Sequence, residues 1–414
     1  MTAGARPDLA ELQQAFELGE FGTVFDLAPV LLESAEQQCD SQLFARTLFV
    51  LGSTQIVCRK YPEGEKNIKL AAEQFDRLKM RVEHLRCKTR LAKSWMMNHE
   101  FERGRELLLE IRGQAEGDDE LLAAELLVVE GLLASQGEAD YQTAIDKYTE
   151  ACELFAKLGE QMMVLTHKKN LAAFLSAAME FDRSERLLSE CIMQFIKLGA
   201  DRHVLEARIN LGLLAARRFN FNHARSLMGG CLEHAINRYE QPMQYRILYN
   251  LSIVELALEH FTAARKQILR LTSLDEFQLT ASRLGAVQTL LAAAELVLEG
   301  PETCQTVLQT AAQNMPAYTL DLEWTYLMLG GLCLLSRGDV ASARLELEAA
   351  MRKPAGPDLP VYTRIIHSCA GRLVAGRHGK YPPRAPGAAA YTEQLMGRLK
   401  SSTPEIFSAI QSGA

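Results

Sequence analysis

The chain lacks the short motifs that announce chemistry. None of HExxH, GxSxG, GxxxxGK[ST] or GxGxxG occurs in its 414 residues. The helix-borne zinc site, the nucleophile elbow and the phosphate-cradling loops are therefore not encoded here. Its nine histidines are scattered, none four residues from another histidine or a cysteine, so no metal-ligand spacing exists. The nine cysteines include no CxxC pair. That odd, dispersed set reads as buried thiols in a reducing cytosol, without structural disulfides. No apolar run approaches the roughly 18 residues that span a bilayer, and the N-terminal MTAGARPDLAELQQ has no signal core. Aromatics make up only 7% of the chain, and no proline falls between Pro62 and Pro242. Strands are disfavoured by the first scarcity, and the second leaves helices unbroken. A net charge of −7 and a pI near 5.8 argue against wholesale binding to nucleic acid or to an anionic membrane.

What is present is a period. An aromatic recurs every 40 residues as Phe21, Tyr61, Phe101, Tyr141, Phe181, Phe221 and Phe261. Three residues after each stands a small or short side chain: Val24, Gly64, Gly104, Ala144, Ser184, Ala224 and Ala264. Four further on comes a larger residue: Ala28 is the small exception, followed by Ile68, Leu108, Tyr148, Leu188, Met228 and Ile268. A fixed period of this size marks stacked repeats, each touching only its neighbours. Every repeat reads as two amphipathic helices, A then B, with B starting at the aromatic. Leu187, Leu188, Ile192, Phe195 and Ile196 fall at helical spacing on one B helix. Gly159 and Gly199 end consecutive B helices in the matching strings FAKLG and FIKLG, as left-handed caps do. An eighth repeat is degenerate, with Pro301 at its helix start, and a ninth is shifted to Val340. A break at KPAGPDLP, a helix over 361–375, a basic loop between Arg377 and Arg384 and a last helix over 391–399 follow.

The pattern resembles the tetratricopeptide family, through Leu171-Ala172, Leu211-Gly212 and Leu251-Ser252 on the A helices and the aromatic column at the turns. The family's usual repeat is 34 residues; units of 40 look like those of kinesin light chains, LGN/Pins polarity proteins and Rap-type peptide-pheromone receptors. The resemblance implies an all-α, right-handed superhelical solenoid of antiparallel helix pairs over 1–353. Residues 354–414 are then a capping or oligomerisation element, through which a homodimer would form.

Asn170, Asn210 and Asn250 recur directly before the A-helix leucine. In long-repeat relatives this position faces the concave groove and grips the backbone of an extended peptide. A primary amide suits that task, offering an acceptor and two donors. The alternative is structural: amides that bridge adjacent A helices. By the family's register the same faces carry Arg46, Arg86, Arg90 and Lys93, then Thr166, Lys169, Glu206, Ile209, Arg246 and Tyr249. Glu130 takes the asparagine position in the fourth repeat. The basic members suit a ligand bearing carboxylates. The expectation is a cytoplasmic, non-enzymatic scaffold without cofactors or metal, binding a protein or peptide ligand and neither nucleic acid nor membrane. A peptide-responsive regulator acting on a second protein is the alternative. The roughly 20 residues before Phe21 are too few for a separate DNA-binding domain.

Overall fold

The structure is a computed structural model that describes residues 8–115, 117, 119–237, 241–274, 281–314, 320–352, 358–374 and 386–402. Among them are twenty α-helices and no strand. The A helices are α1 (Leu9–Leu18), α3 (Ser41–Val57), α5 (Arg81–Met97), α7 (Glu120–Leu132), α9 (Gln161–Ala177), α11 (Asp201–Arg217), α13 (Gln241–Ala257), α15 (Ala281–Leu298) and α17 (Leu320–Ser336). The B helices are α2 (Phe21–Gln37), α4 (Tyr61–Arg77), α6 (Phe101–Gln114), α8 (Tyr141–Lys157), α10 (Phe181–Lys197), α12 (Phe221–Asn237), α14 (Phe261–Thr272), α16 (Pro301–Gln313) and α18 (Val340–Met351). Every aromatic of the column is the first residue of its B helix. Helices α19 (Leu359–Val374) and α20 (Pro386–Ser402) follow. The basic loop at 377–384 lies outside the described residues.

The connections repeat as strictly as the helices. Residues 19, 39, 59, 79, 99, 139, 159, 179, 199, 219 and 259 all have positive φ. At each except residue 139, which follows a π turn, sits a left-handed cap with the hydrogen bonds of a Schellman motif. Lys79 N–H, for example, donates to Asp76 O at 2.9 Å and Met80 N–H to Phe75 O at 2.9 Å. Two orphan carbonyls are thereby satisfied at each helix end. Only three of these eleven positions hold glycine, so the capping geometry is kept even where a side chain strains it.

The small residue of the motif sets how closely A and B approach. A Cβ on Gly52 of α3 would lie 2.9 Å from the Gly64 carbonyl oxygen of α4. Val24, Ala144, Ser184, Ala224 and Ala264 are fully buried, and the Ser184 hydroxyl donates to Ala172 O at 2.7 Å across the same gap. The aromatic reaches the next repeat: the Tyr61 hydroxyl donates to Met97 O at 3.2 Å, at the end of α5.

One repeat breaks the register. Helix α7 begins one residue early, at Glu120 behind its Asp119 cap, and a π turn over Leu133–Gly137 absorbs the extra residue before Tyr141. Gly131 faces Tyr148 as Gly52 faces Ile68 and Gly212 faces Met228. The fourth-repeat counterpart of Asn170 is therefore Val129. Glu130 instead turns outward to a B-helix lysine, with Lys147 Nζ at 3.0 Å.

The chain divides into two compact units, Met1–Arg208 and Ile209–Ala414, with the boundary inside α11. In the first unit, α1 meets the start of α11. The Arg202 guanidinium lies over the Phe21 ring at 4.5 Å, a His203 ring nitrogen is 2.9 Å from Glu17 O, and Leu18 packs on a core of Leu165, Cys191, Phe195, Ala200 and Val204. In the second unit, α19 packs on α13, α15 and α17. Val361, Ile365, Ile366, Cys369 and Ala370 of α19 are all buried.

Candidate binding chamber

Within the first unit lies a half-open cavity of about 390 Å³, bounded by α1, α3, α5 and α7 and the start of α9. Phe16 and Glu17 come from α1, Arg46, Phe49 and Val50 from α3, Glu83, Arg86 and Arg90 from α5, and Glu125 from α7; Glu160 and Met163 close the far side. In α3 the wall residues sit at the sixth, ninth, tenth and thirteenth positions, one stripe of a 3.6-residue helix, and Arg86 and Arg90 of α5 and Glu125 of α7 fall on the same stripe at the sixth and tenth. A crevice of about 20 Å³ shares Arg86, Arg90, Glu125 and Met163 with the cavity and adds Thr89, Lys93, Val129 and His167.

Most polar groups predicted to face a ligand are engaged with one another. Arg86 grips Glu125 through two parallel hydrogen bonds of 3.0 and 2.9 Å, the bidentate geometry arginine favours. Lys169 is buried and paired with Glu206. Burial alone would raise the Glu206 carboxyl, but Lys169, His203 and Arg202 around it hold it well below the usual carboxylate range. In the second unit, Arg246 donates to the Asn210 side-chain oxygen, and the Asn250 amide donates back to Arg246 O at 2.8 Å on its own helix. The Tyr249 hydroxyl stands 3.4 Å from the Tyr362 hydroxyl of α19, and Cys369 of α19 points its thiol at Ala293 O of α15 at 3.6 Å. The stripe that lines a cavity in the first unit is thus covered by α19 in the second.

Of the asparagines, Asn170 belongs to the first unit and Asn210 and Asn250 to the second. Asn170 lies beside the Tyr148 hydroxyl without completing a hydrogen bond. Burial drives that phenol's pKa up, and Asn170 offsets part of the rise.

Two cations of the stripe remain. Arg90 lies with its guanidinium 5.5 Å from the Phe49 ring centre, while Lys93 projects into the crevice. Arg46 joins them on the cavity wall. Burial lowers the Arg90 pKa and, with Arg90 and Lys169 nearby, pushes the Lys93 amine down to about 7 against the pull of Glu125. His167 is buried, stacked on Phe155 at 5.2 Å, and held neutral by burial and by Lys93, Lys169 and Arg90. Sequence reasoning missed Phe49, Glu83 and His167 as wall residues, although Phe49 occupies the ninth position of α3 just as Lys169 does in α9. It missed α1 as a wall altogether, because α1 precedes the first aromatic and carries none of the motif.

No protein-family model matches the chain, and no curated protein matches it. Solved structures do. A Rap protein complexed with competence and sporulation factor superimposes with a TM-score of 0.62 at 14% identity, covering 87% of this chain and 99% of its own. NprR in complex with its cognate peptide NprX gives 0.53 at 12% identity, over 86% and 98% of the two chains. The apo form of the quorum sensor NprR from B. thuringiensis gives 0.51 at 11% identity, over 85% and 97%. These likenesses show the fold: the chain is an all-α solenoid of repeated helix pairs, similar in fold to those structures. Among the described residues no helix is long and apolar enough to cross a membrane.

Proposed function

We propose that the protein is a non-enzymatic, cytoplasmic interaction scaffold whose first unit takes an extended peptide or protein segment. The observation that carries this reading is the cavity, walled by aromatic rings and by Arg46 and Arg90, neither of which has a carboxylate in ion-pair contact among the described residues. Its size falls in the range of small-ligand pockets, enough for a few residues of extended chain rather than a folded domain. The Rap and NprR structures are of proteins complexed with a factor or peptide, which agrees with this use of the fold. Asn210 serves as a helix-bridging amide in this reading, and residues 354–414 cap the second unit or join two copies.

A display library of random peptides tests it. Peptides enriched on the wild-type protein are expected to lose binding to Phe49→Ala and Arg90→Gln and to keep it with Asn250→Ala. No enrichment, or equal binding to all three variants, overturns the proposal.

A second reading is favoured by the contact between α1 and α11. Glu17 of α1 lines the cavity and its carbonyl oxygen meets His203 of α11, so a ligand that displaces α1 also breaks its contact with α11, as in a peptide-responsive regulator of a second protein. A ligand-dependent change in radius of gyration supports that coupling; an unchanged radius with saturating ligand leaves the plain scaffold.

A further inference from the structure

Helix α12 carries Gly229 and Gly230 at the ninth and tenth of its 17 positions. Glycine inside a helix loses more conformational entropy than any other residue and is the least favoured there after proline. Gly64, Gly131 and Gly212 answer to close contacts: a Cβ would lie 2.8 Å from Ile56, 2.6 Å from Tyr148 and 3.0 Å from Met228 respectively. A Cβ on Gly229 or Gly230 meets nothing within 4 Å, and neither residue has positive φ. Neither packing nor backbone geometry therefore calls for glycine at this pair. The same two positions hold Thr149 and Glu150 in α8 and Ser189 and Glu190 in α10.

Each half of α12 has its own anchor. Before the pair, Ala224 and Met228 are buried, with Met228 against Gly212 of α11. After it, Cys231, Leu232 and Ala235 are buried, and Ala235 O accepts from Gln244 Nε2 of α13 at 3.3 Å. Polar bonds tie α11 to the elements that follow. Asn210 accepts from Arg246 of α13, and Arg217 donates to both oxygens of Asp358, one residue ahead of α19, at 2.7 and 3.3 Å. The Asp358 side chain is 42% exposed, so water stands ready to replace its partner. Helix α19 is bound independently to the end of α13: Arg364 and Arg372 both hold Glu259, at 3.0 and 2.8 Å, and Arg364 also donates to Ala257 O at 3.2 Å.

We infer that Gly229–Gly230 is the hinge, and the Arg217–Asp358 pair the latch, of a seam between α11 and α13 that opens within the second unit. When the latch parts, α12 bends at the glycines, the Asn210–Arg246 bond is exchanged for water, and α13 moves off α11 with α19 still attached. Glycine pairs are where helices bend sharply. Polar ties part with little net loss, because water replaces each partner. Opening makes Asn210, 7% exposed in the closed seam, accessible. It also breaks the backbone bonds that span the hinge, those donated by the N–H groups of residues 230–233 to carbonyls four residues back. Hinge, latch and seam all belong to residues 209–414, so the inference stands apart from the first-unit cavity and from the peptide reading.

The test is hydrogen exchange on the full chain, corrected for intrinsic rates and read at the amides of residues 230–233 in α12 and the matching 190–193 in α10. The expected result is faster exchange in α12 than in α10 at low salt. Raising NaCl to about 1 M, which screens the latch, should speed α12 several-fold further and leave α10 unchanged. Asp358→Asn at low salt should reproduce that increase. Gly229→Ala combined with Gly230→Ala should slow α12 by about 25-fold, roughly fivefold per glycine, and leave the response to salt intact. Equal protection of α12 and α10 in the wild type overturns the hinge. Exchange in α12 that ignores both salt and Asp358→Asn overturns the latch, and the glycines then only weaken one helix. A salt response shared equally by α10 is a general loosening and overturns the seam. The wild-type salt comparison needs no variant to fold.

Discussion

Lys93 links stability to pH in a direction opposite to that of a paired lysine. Its folded pKa, about 7, lies below the roughly 10.4 of an unfolded lysine, so between those values the unfolded chain binds more protons. Stability then rises with pH across that window. Lys93→Met is expected to be more stable than wild type at pH 6.5, with the advantage shrinking as pH approaches 10. Urea denaturation at the two pH values checks this; an advantage that does not change with pH contradicts it. Gly159 offers a second residue-scale prediction. Its φ is +76°, and a Cβ there meets nothing within 4 Å, so Gly159→Ala changes backbone strain alone. The expected loss is about 1 kcal/mol, read from the urea midpoint. At this scale the sequence placed Arg46, Arg86, Arg90 and Lys93 on one face by register. It did not reveal which of them are spent. That depends on partners far along the chain, such as Glu125, 39 residues from Arg86, and Glu206, 37 from Lys169.

Among the helices, the period was legible because one packing problem recurs every 40 residues. Each B helix needs an aromatic at its start to meet the next repeat and a small residue one turn on to let helix A approach. The one-residue shift of α7 was not legible. Its cause is local, an early cap at Asp119 behind a shortened α6, and the 40-residue spacing from Phe101 to Tyr141 is preserved by the π turn that compensates. Counting by 40 therefore assigned Glu130 to a position that Val129 occupies. The pairing of α9 with α11 makes an asymmetric prediction. Removing Glu206 strands Lys169 beside Arg202 and His203, so Glu206→Leu is expected to cost about 3–5 kcal/mol. Lys169→Met should cost less, because Glu206 keeps Arg202 at 3.6 Å and His203 at 3.7 Å. The Glu206 contribution is present above the unfolded carboxylate pKa of roughly 4.3 and is lost as pH falls below it. Chemical denaturation of both variants at pH 7 and pH 3.5 checks the order and the loss.

Over the whole molecule, each unit treats the same helix stripe in its own way. The first unit keeps a cavity there, roofed by α1. The second covers it with α19, so that Tyr249 meets Tyr362 and Cys369 meets the α15 backbone. Neither roof carries the repeat motif, which is why both lay outside what the period could show and why the candidate site was only half visible in the sequence. The central claim is that the ligand lies inside the first unit and not on the outer face. A photo-crosslinking residue placed at Phe49, on the cavity wall, and separately at Leu109, an outer-face residue 68% exposed on α6, tests it most directly in the cells that make the protein. The expected result is a discrete peptide or protein adduct from position 49 that Arg90→Gln abolishes, and none from position 109. An adduct from position 109 with none from position 49 would contradict it.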